Sequence, residues 1–390
     1  MDSASLHVVQ VGFHVDPLGR EPAQLLQDWE SLVDVAEAAR SAGMQVSVVQ
    51  ACRRADRLDR NGVHYHFFAA GSDAPAIIGG LEPDVIHVHG LCFPREVLRL
   101  AARLPAVPIL LQDHASRLPR LWRRRLHRRA FAAAAGVAFC ARPQSWPFEQ
   151  ACLIEGGTSI HVIPESTSRF RPGERDEARA RTGLRGNPCL LWVGHLCDNK
   201  DPLTVLEGVS RAVDALPELA LWCCYGEAPL EKAVVKRIAE DDRLRARVHL
   251  LGRRPHGEIE SLMQAADVFV SGSHREGSGY ALIEALACGL PPLVTDIPSF
   301  RALTGDGAVA RLWWRGDPQS LADELLGIAA ELGPARRAVV RAHFEQELSF
   351  AALGRQLADT YRDLVNREGR ASGPPPWARA ASPAQRHPPR

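Results

Sequence analysis

The run from Val268 to Pro291 leaves this chain little freedom in how it folds. Val268, Phe269 and Val270 are a short apolar stretch, a polar loop with Gly277 and Gly279 follows, and Tyr280 to Ala287 is helix-forming up to the stop at Gly289 and Pro291. Strand, tight loop and helix in immediate succession are the unit of a parallel, doubly wound sheet. Such a sheet binds ligands at the carboxyl ends of its strands. The two glycines let the loop backbone come close to a ligand. The helix opening near Gly279 turns unpaired N–H groups and its positive dipole end toward the loop, where an anion is favoured. Ser278 and Tyr280 share that loop and first turn. Glu276 lies before the helix, and Glu284 lies a turn or more inside it, on a face that looks back toward the same cleft. One carboxylate can take sugar hydroxyls and the other ribose hydroxyls, with a diphosphate between them.

A second stretch repeats the design. Leu190 to Val193 reads as a buried parallel strand, Gly194 and His195 follow it, and Asp201 and Pro202 suit the cap and first turn of a helix. Lys200 would then emerge at the carboxyl end of the strand. The chain has only three lysines, Lys200, Lys232 and Lys236, against many arginines. A lysine kept at this loop offers a compact point charge for phosphate.

The same alternation runs through the whole chain. Strands are expected at Leu6–Phe13, Gln45–Gln50, Val63–Phe68, Asp84–His89, Pro108–Gln112, Gly136–Cys140 and Ile160–Ile163. A second set follows at Cys189–Val193, Leu219–Tyr225, Val248–Leu251, Val268–Ser271 and Pro292–Thr295. One amphipathic helix is expected over Gln24–Ala42, and another over Arg95–Arg103. The charged, Pro-bearing stretch around residues 164–185 reads as the join between two such halves. A chain of 390 residues with 46% apolar content can build two cores. The net charge of +1 gives no global field to recruit nucleic acid. The nine cysteines lack metal-like spacing and read as reduced, small core residues. The N-terminal residues do not read as a signal peptide, and no apolar run is long enough to span a bilayer.

Gly194, Lys200, Glu276 and Glu284, followed by Ala285, Gly289 and Pro291, resemble the retaining glycosyltransferases of family 4. The resemblance spans roughly residues 6–365 and is densest from Leu190 to Thr295. It implies the α/β GT-B fold: two Rossmann-like doubly wound domains facing across a cleft, with a C-terminal helix crossing back to the first domain. The expected divisions are an acceptor domain over 1–168, a donor domain over 169–348, the crossover helix over 349–367 and a disordered Pro- and Arg-rich tail over 368–390. The resemblance implies that Lys200 contacts the donor diphosphate, Glu276 the transferred sugar and Glu284 the ribose, with no metal required and a nucleotide-diphosphate sugar as co-substrate. The family usually has arginine where this chain has His195, which leaves less charge for the leaving group. His114 resembles the histidine that many members place at the reacting sugar.

Signals in the first half are sparser. His89 with Gly90, and Asp113 with His114, end strands and so point into the cleft. His87 and His89 share a strand face, a poor start for a metal site without a third ligand. The loop from Gly12 to Arg20 replaces the family's paired glycines, with Gly19 and Arg20 as substitutes for contact with phosphate or acceptor. Glu165-Ser166-Thr167 stands where the family often has Asn-Gly. Arg117 to Arg129 holds seven arginines, with Leu118, Leu121, Trp122, Leu126 and Ala130 at helical spacing. We read that apolar stripe as packing on the domain core, and peripheral contact with an anionic membrane as the alternative. Of Trp313 and Trp314, adjacent on a strand, at least one belongs to a core.

The expected activity is transfer of a sugar from a nucleotide-diphosphate donor to a saccharide or lipid-linked acceptor. The setting is the cytoplasm or the inner membrane face, without nucleic acid as partner. The rival readings are a nucleotide-sugar epimerase on the same fold and a non-catalytic nucleotide-sugar binding or scaffold protein.

Overall fold

The computed structural model describes residues 5–69, 71–156 and 158–371. Two sheets carry the chain. The first holds β1 (His7–Gly12), β2 (Gln45–Ala51), β3 (Asp56–Arg60), β4 (Val63–Phe68), β5 (Val85–His89), β6 (Ile109–Gln112), β7 (Gly136–Phe139) and β8 (Ser159–Val162), in the order β3-β4-β2-β1-β5-β6-β7-β8. The second holds β9 (Cys189–Gly194), β10 (Ala220–Tyr225), β11 (Val248–Gly252), β12 (Val268–Ser271), β13 (Pro292–Thr295) and β14 (Arg311–Trp313), in the order β11-β10-β9-β12-β13-β14. Among the described residues, the named strands pair in parallel except in the β3–β4 hairpin.

The strands are apolar because helices cover both faces. β10 is buried along its whole length, as are β7, β12 and β13. The strand order reverses at β1 in the first sheet and at β9 in the second, with β5 and β12 as the neighbours across each reversal. A crevice opens at such points outside the carboxyl ends of the strands. Gly12 and His89 therefore end at one crevice, and Gly194 and Ser271 at the other.

The last helix, Phe350–Ala371, returns to the first sheet. Leu353, Leu357, Tyr361 and Leu364 are fully buried in one core with Val8, Leu25, Val35 and Val46. Each large apolar side chain so covered contributes about 1.5–3 kcal/mol. The Tyr361 hydroxyl meets Nδ1 of His87 at 2.8 Å.

Several expectations need correction. The helix over Gln24–Ala42 is two helices, Pro22–Asp28 and Glu30–Ser41, broken at Trp29. Leu25, Leu32, Val33 and Ala36 keep helical spacing across the break, so periodicity cannot see it. β3 and the helix Ala74–Gly79 were not expected. The final helix runs past residue 367 to Ala371, and the rest of the expected tail, 372–390, lies outside the described residues. The basic stripe is not core throughout: His127, Ala130 and Phe131 pack inward, whereas Leu121 and Trp122 are 76% and 70% exposed. Trp313 is fully buried and Trp314 is exposed, as strand alternation requires.

Candidate functional site

Two loops of the second sheet are zipped together. The His274 backbone N–H donates to the Asn199 carbonyl at 2.7 Å, and the Asn199 side chain donates to the Arg275 carbonyl at 2.9 Å. Asp201 caps the helix Pro202–Ala212 through the Thr204 N–H at 3.2 Å and also meets His274 at 2.8 Å. This lattice fixes the residues on either side of it. Lys200 and Glu276 close on each other as a partly buried ion pair, 23% and 14% exposed. Gly194 sits beneath them, 3.6 Å from the Lys200 chain when a Cβ is built on it.

Gly279 caps the helix Tyr280–Ala287 with φ of 74°, so the helix opens in the left-handed region that glycine alone enters freely. The unpaired N–H groups of that first turn follow Glu276 closely in the chain, and a Cβ built on Gly279 would lie 3.6 Å from the Glu276 side chain. An anion seated there would attract Lys200 and release the Glu276 carboxylate to accept hydroxyls. Glu284, later in the same helix, meets Nε2 of His256 at 2.6 Å. His256 in turn lies 4.7 Å from the Phe170 ring. His195 is exposed at the end of β9, and its Nδ1 accepts from the Glu227 N–H at 3.0 Å. A neutral His195 therefore carries its proton on Nε2 and can donate one hydrogen bond.

The first sheet meets this loop directly. The Gln144 side chain donates to the carbonyls of Glu276 at 2.8 Å and Gly277 at 3.3 Å. The Glu165 N–H donates to Ser278 Oγ at 2.8 Å. His114 joins Glu165 Oε2 through Nδ1 at 2.9 Å and His89 Nδ1 through Nε2 at 3.2 Å. His89 stacks on His87 at 4.4 Å, and burial holds His89 well below the usual imidazole range and His87 down to about 3. Asp113 is buried, with its carboxyl raised by burial and its side chain taken by the Ser116 N–H at 2.9 Å. A cavity of about 460 Å³ opens between the halves, bordered by His89, His114, Trp29 and Gln50 on one side and Tyr280 on the other.

Of the residues singled out in the sequence, Lys200, Glu276, Gly277, Ser278, Gly279 and Tyr280 gather at one place, with His114 opposite. Arg20 does not join them: its guanidinium holds Asp16 at 3.0 Å and Asp28 at 3.5 Å, and Gly19 lies under Arg53. Among the described residues, no group of three potential ligands could hold a metal ion. No local pattern in the sequence marks Gln144 or His256, and none assigns Glu165 a role. The one available signal was Glu165 itself, a carboxylate where the resembling family has Asn-Gly.

Residues 174–339 match the family model described as glycosyl transferases group 1. The chain is 27% identical over 268 residues to the GDP-mannose:cellobiosyl-diphosphopolyprenol alpha-mannosyltransferase of Xanthomonas campestris, covering 66% of this chain and 68% of that protein. It is 29% identical over 322 residues to the 2-deoxystreptamine N-acetyl-D-glucosaminyltransferase of Streptomyces fradiae, covering 75% and 73%. Among solved structures it superposes on a glycosyltransferase from Rickettsia africae with a TM-score of 0.71 at 12% identity, covering 93% of this chain and 99% of that one. It superposes on Anabaena HepE in complex with UDP with a TM-score of 0.66 at 18% identity, covering 92% and 100%. The chain is a glycosyltransferase of the GT-B fold, and residues 174–339 are similar to the glycosyl transferases group 1.

Proposed function

We propose that the chain is a retaining, metal-independent transferase that moves a sugar from a nucleotide diphosphate to an acceptor hydroxyl. The observation that carries this is the Lys200–Glu276 pair at the mouth of the helix Tyr280–Ala287. The chemical problem is departure of an anionic diphosphate while the sugar carbon gains positive charge. Lys200, the N–H groups after Gly279 and the Nε2–H of His195 stabilise the leaving group. Glu276 holds sugar hydroxyls and Glu284 holds ribose. The acceptor attacks from the face the leaving group vacates, and a diphosphate oxygen takes its proton. Lys200 and the helix end supply the positive charge that a cation supplies in other transferases. Closure of the two halves excludes water, which would otherwise hydrolyse the donor.

The acceptor occupies the first half, and its class is a saccharide or a lipid-linked saccharide. The Xanthomonas relative is named for a diphosphopolyprenol-linked acceptor. Leu121 and Trp122 stand out of the surface among the seven arginines of Arg117–Arg129, and Arg123 lies 4.6 Å over the Trp122 ring. That pairing of apolar tip and basic flank suits the headgroup region of an anionic bilayer. We assign peripheral work at the inner membrane face on this basis. No helix among the described residues is long and apolar enough to cross a membrane.

The test is a panel of UDP-, GDP- and ADP-sugars, read by thermal shift and by nucleotide release with and without chelator, on wild type, Lys200→Ala and Glu284→Ala. Stabilisation by one donor, chelator-resistant release of its nucleotide, and loss of both in the variants are expected. A folded protein indifferent to every donor would refute the donor site, and conversion of donor sugar without any acceptor would favour an epimerase.

A further inference from the structure

Glu165 is a confined carboxylate at the junction of the two halves. It is 5% exposed, and its Oε1 is buried with no hydrogen-bond partner. Its backbone is held by Ser278, and its carboxylate fills the space that a side chain at Gly277 would need. Burying a carboxylate with one oxygen unsatisfied is costly. Burial accordingly raises the Glu165 carboxyl above the ordinary range, despite the neighbouring His114. Packing alone would be better served by a neutral side chain.

The proton inventory shows what this carboxylate does. Ionised, it can only accept, so the hydrogen on the 2.9 Å contact belongs to Nδ1 of His114. Neutral His114 then has its lone pair on Nε2. The neighbour there is Nδ1 of His89 at 3.2 Å, and a half-buried, neutral His89 supplies the hydrogen. The chain of hydrogen bonds therefore points one way, from His89 to His114 to Glu165. Its first link is the longer one, and both histidines border the 460 Å³ cavity.

We propose that Glu165 is a positioning residue that fixes His114 in the Nδ1–H tautomer, so that Nε2 accepts a hydrogen bond from a substrate hydroxyl entering the cleft. The hydroxyl takes the place of the His89 donor. The site thereby selects a hydroxyl at that point over an ether or carbonyl oxygen, neither of which has a hydrogen to give. This rests on the transfer reaction proposed above for its substrate, although the tautomer itself does not. The charged and titratable groups facing Glu165 are His114 and Asp113 on one side, Glu276 and Tyr280 on the other, and Cys140 beneath.

The test uses the full chain labelled with ¹⁵N-histidine, with His114 assigned by loss of its signals in His114→Gln. In its neutral form the ring is expected to carry its hydrogen on Nδ1. A ring protonated on Nε2 in the wild type would overturn the proposal, whatever the enzyme's activity. The second arm compares Glu165→Gln with wild type. Transfer should fall about 10- to 100-fold in kcat with donor KM within about twofold, the acid limb of the pH profile should move, and the melting temperature should hold or rise. Unchanged kcat and pH profile, or a fall in activity matched by loss of stability, would reject a positioning role. If the wild type turns over no donor at all, the transfer reaction fails while the spectrum still decides the tautomer.

Discussion

Replacing Gly277 by alanine places a methyl group where Glu165 already stands. The new carbon would lie 2.7 Å from the Glu165 carboxyl carbon and 2.9 Å from Oε2. Oε1 stands closer still, and ordinary carbon contacts are about 3.5–4.0 Å, so the carboxylate must withdraw by about 1.5 Å. It cannot swing into water, because it is 5% exposed and its backbone is tied to Ser278 at 2.8 Å. Overpacking of this kind costs about 1–3 kcal/mol. Withdrawal also stretches the 2.9 Å bond from His114, and a hydrogen bond to a charged group is worth about 1.5–3 kcal/mol. Partial relaxation makes the two less than additive, and a loss of about 2–4 kcal/mol is expected. The backbone is not the obstacle, since Gly277 is absent from the positions with left-handed φ. The assay is urea unfolding of wild type, Gly277→Ala, Glu165→Ala and the double variant. In the Glu165→Ala background the methyl has room, and Gly277→Ala should cost under about 0.5 kcal/mol. An equal cost in both backgrounds would show that the methyl meets something other than Glu165, and the account of the junction would be wrong.

Lys200→Ala should lower kcat about 10²- to 10³-fold, because a unit charge about 4 Å from the leaving diphosphate is worth up to about 4 kcal/mol at an effective dielectric of 20. Its melting temperature should change little, and steady-state kinetics at saturating donor that show wild-type turnover would remove Lys200 from the reaction. Acid should destabilise the fold through His87: it stays neutral to pH about 3 when folded against 6.5 for the free side chain, so the unfolded chain binds the extra proton between those values. Stability should therefore fall as pH drops through that window, by at most about 1.4 kcal/mol per pH unit for this group. Urea midpoints at pH 7 and 5 should show a shallower loss for His87→Gln, and an unchanged slope would exclude His87 as a source. Leu121→Ser with Trp122→Ser should reduce sedimentation with phosphatidylserine vesicles without altering donor hydrolysis in solution, and binding equal to wild type would discard the membrane face.

The parts of this molecule that obey a simple period were legible in its sequence. β12 and β13 were placed to the residue because a strand buried on both faces is an unbroken apolar run. The donor loop was legible because Glu276, Gly277, Gly279 and Glu284 are neighbours in the chain. β3 was not, since Asp56-Arg57-Leu58-Asp59-Arg60 is an exposed antiparallel edge with no apolar alternation. The break at Trp29 was hidden because the apolar spacing continues through it. Glu165 and Gln144 lay beyond reach for a different reason. Their partners are distant in sequence: the fold of the first sheet brings His114 to Glu165, and the docking of the two sheets brings Ser278 and the carbonyls of Glu276 and Gly277 to Glu165 and Gln144.

The helix that returns to the first sheet also sets an order of assembly. Residues 7–162 leave the ribosome first, yet Val8, Leu25, Val35 and Val46 wait for Leu353, Leu357, Tyr361 and Leu364 to cover them. The second half closes its cores from residues made before Ser349, with Cys140 of the first half among them. We expect the half synthesised last to be finished first, and a chain stopped at Leu348 to keep a cooperative second half beside a first half that binds hydrophobic dye. Through most of its synthesis the amino-terminal half thus keeps an open seam, sealed only when the helix Phe350–Ala371 has been made.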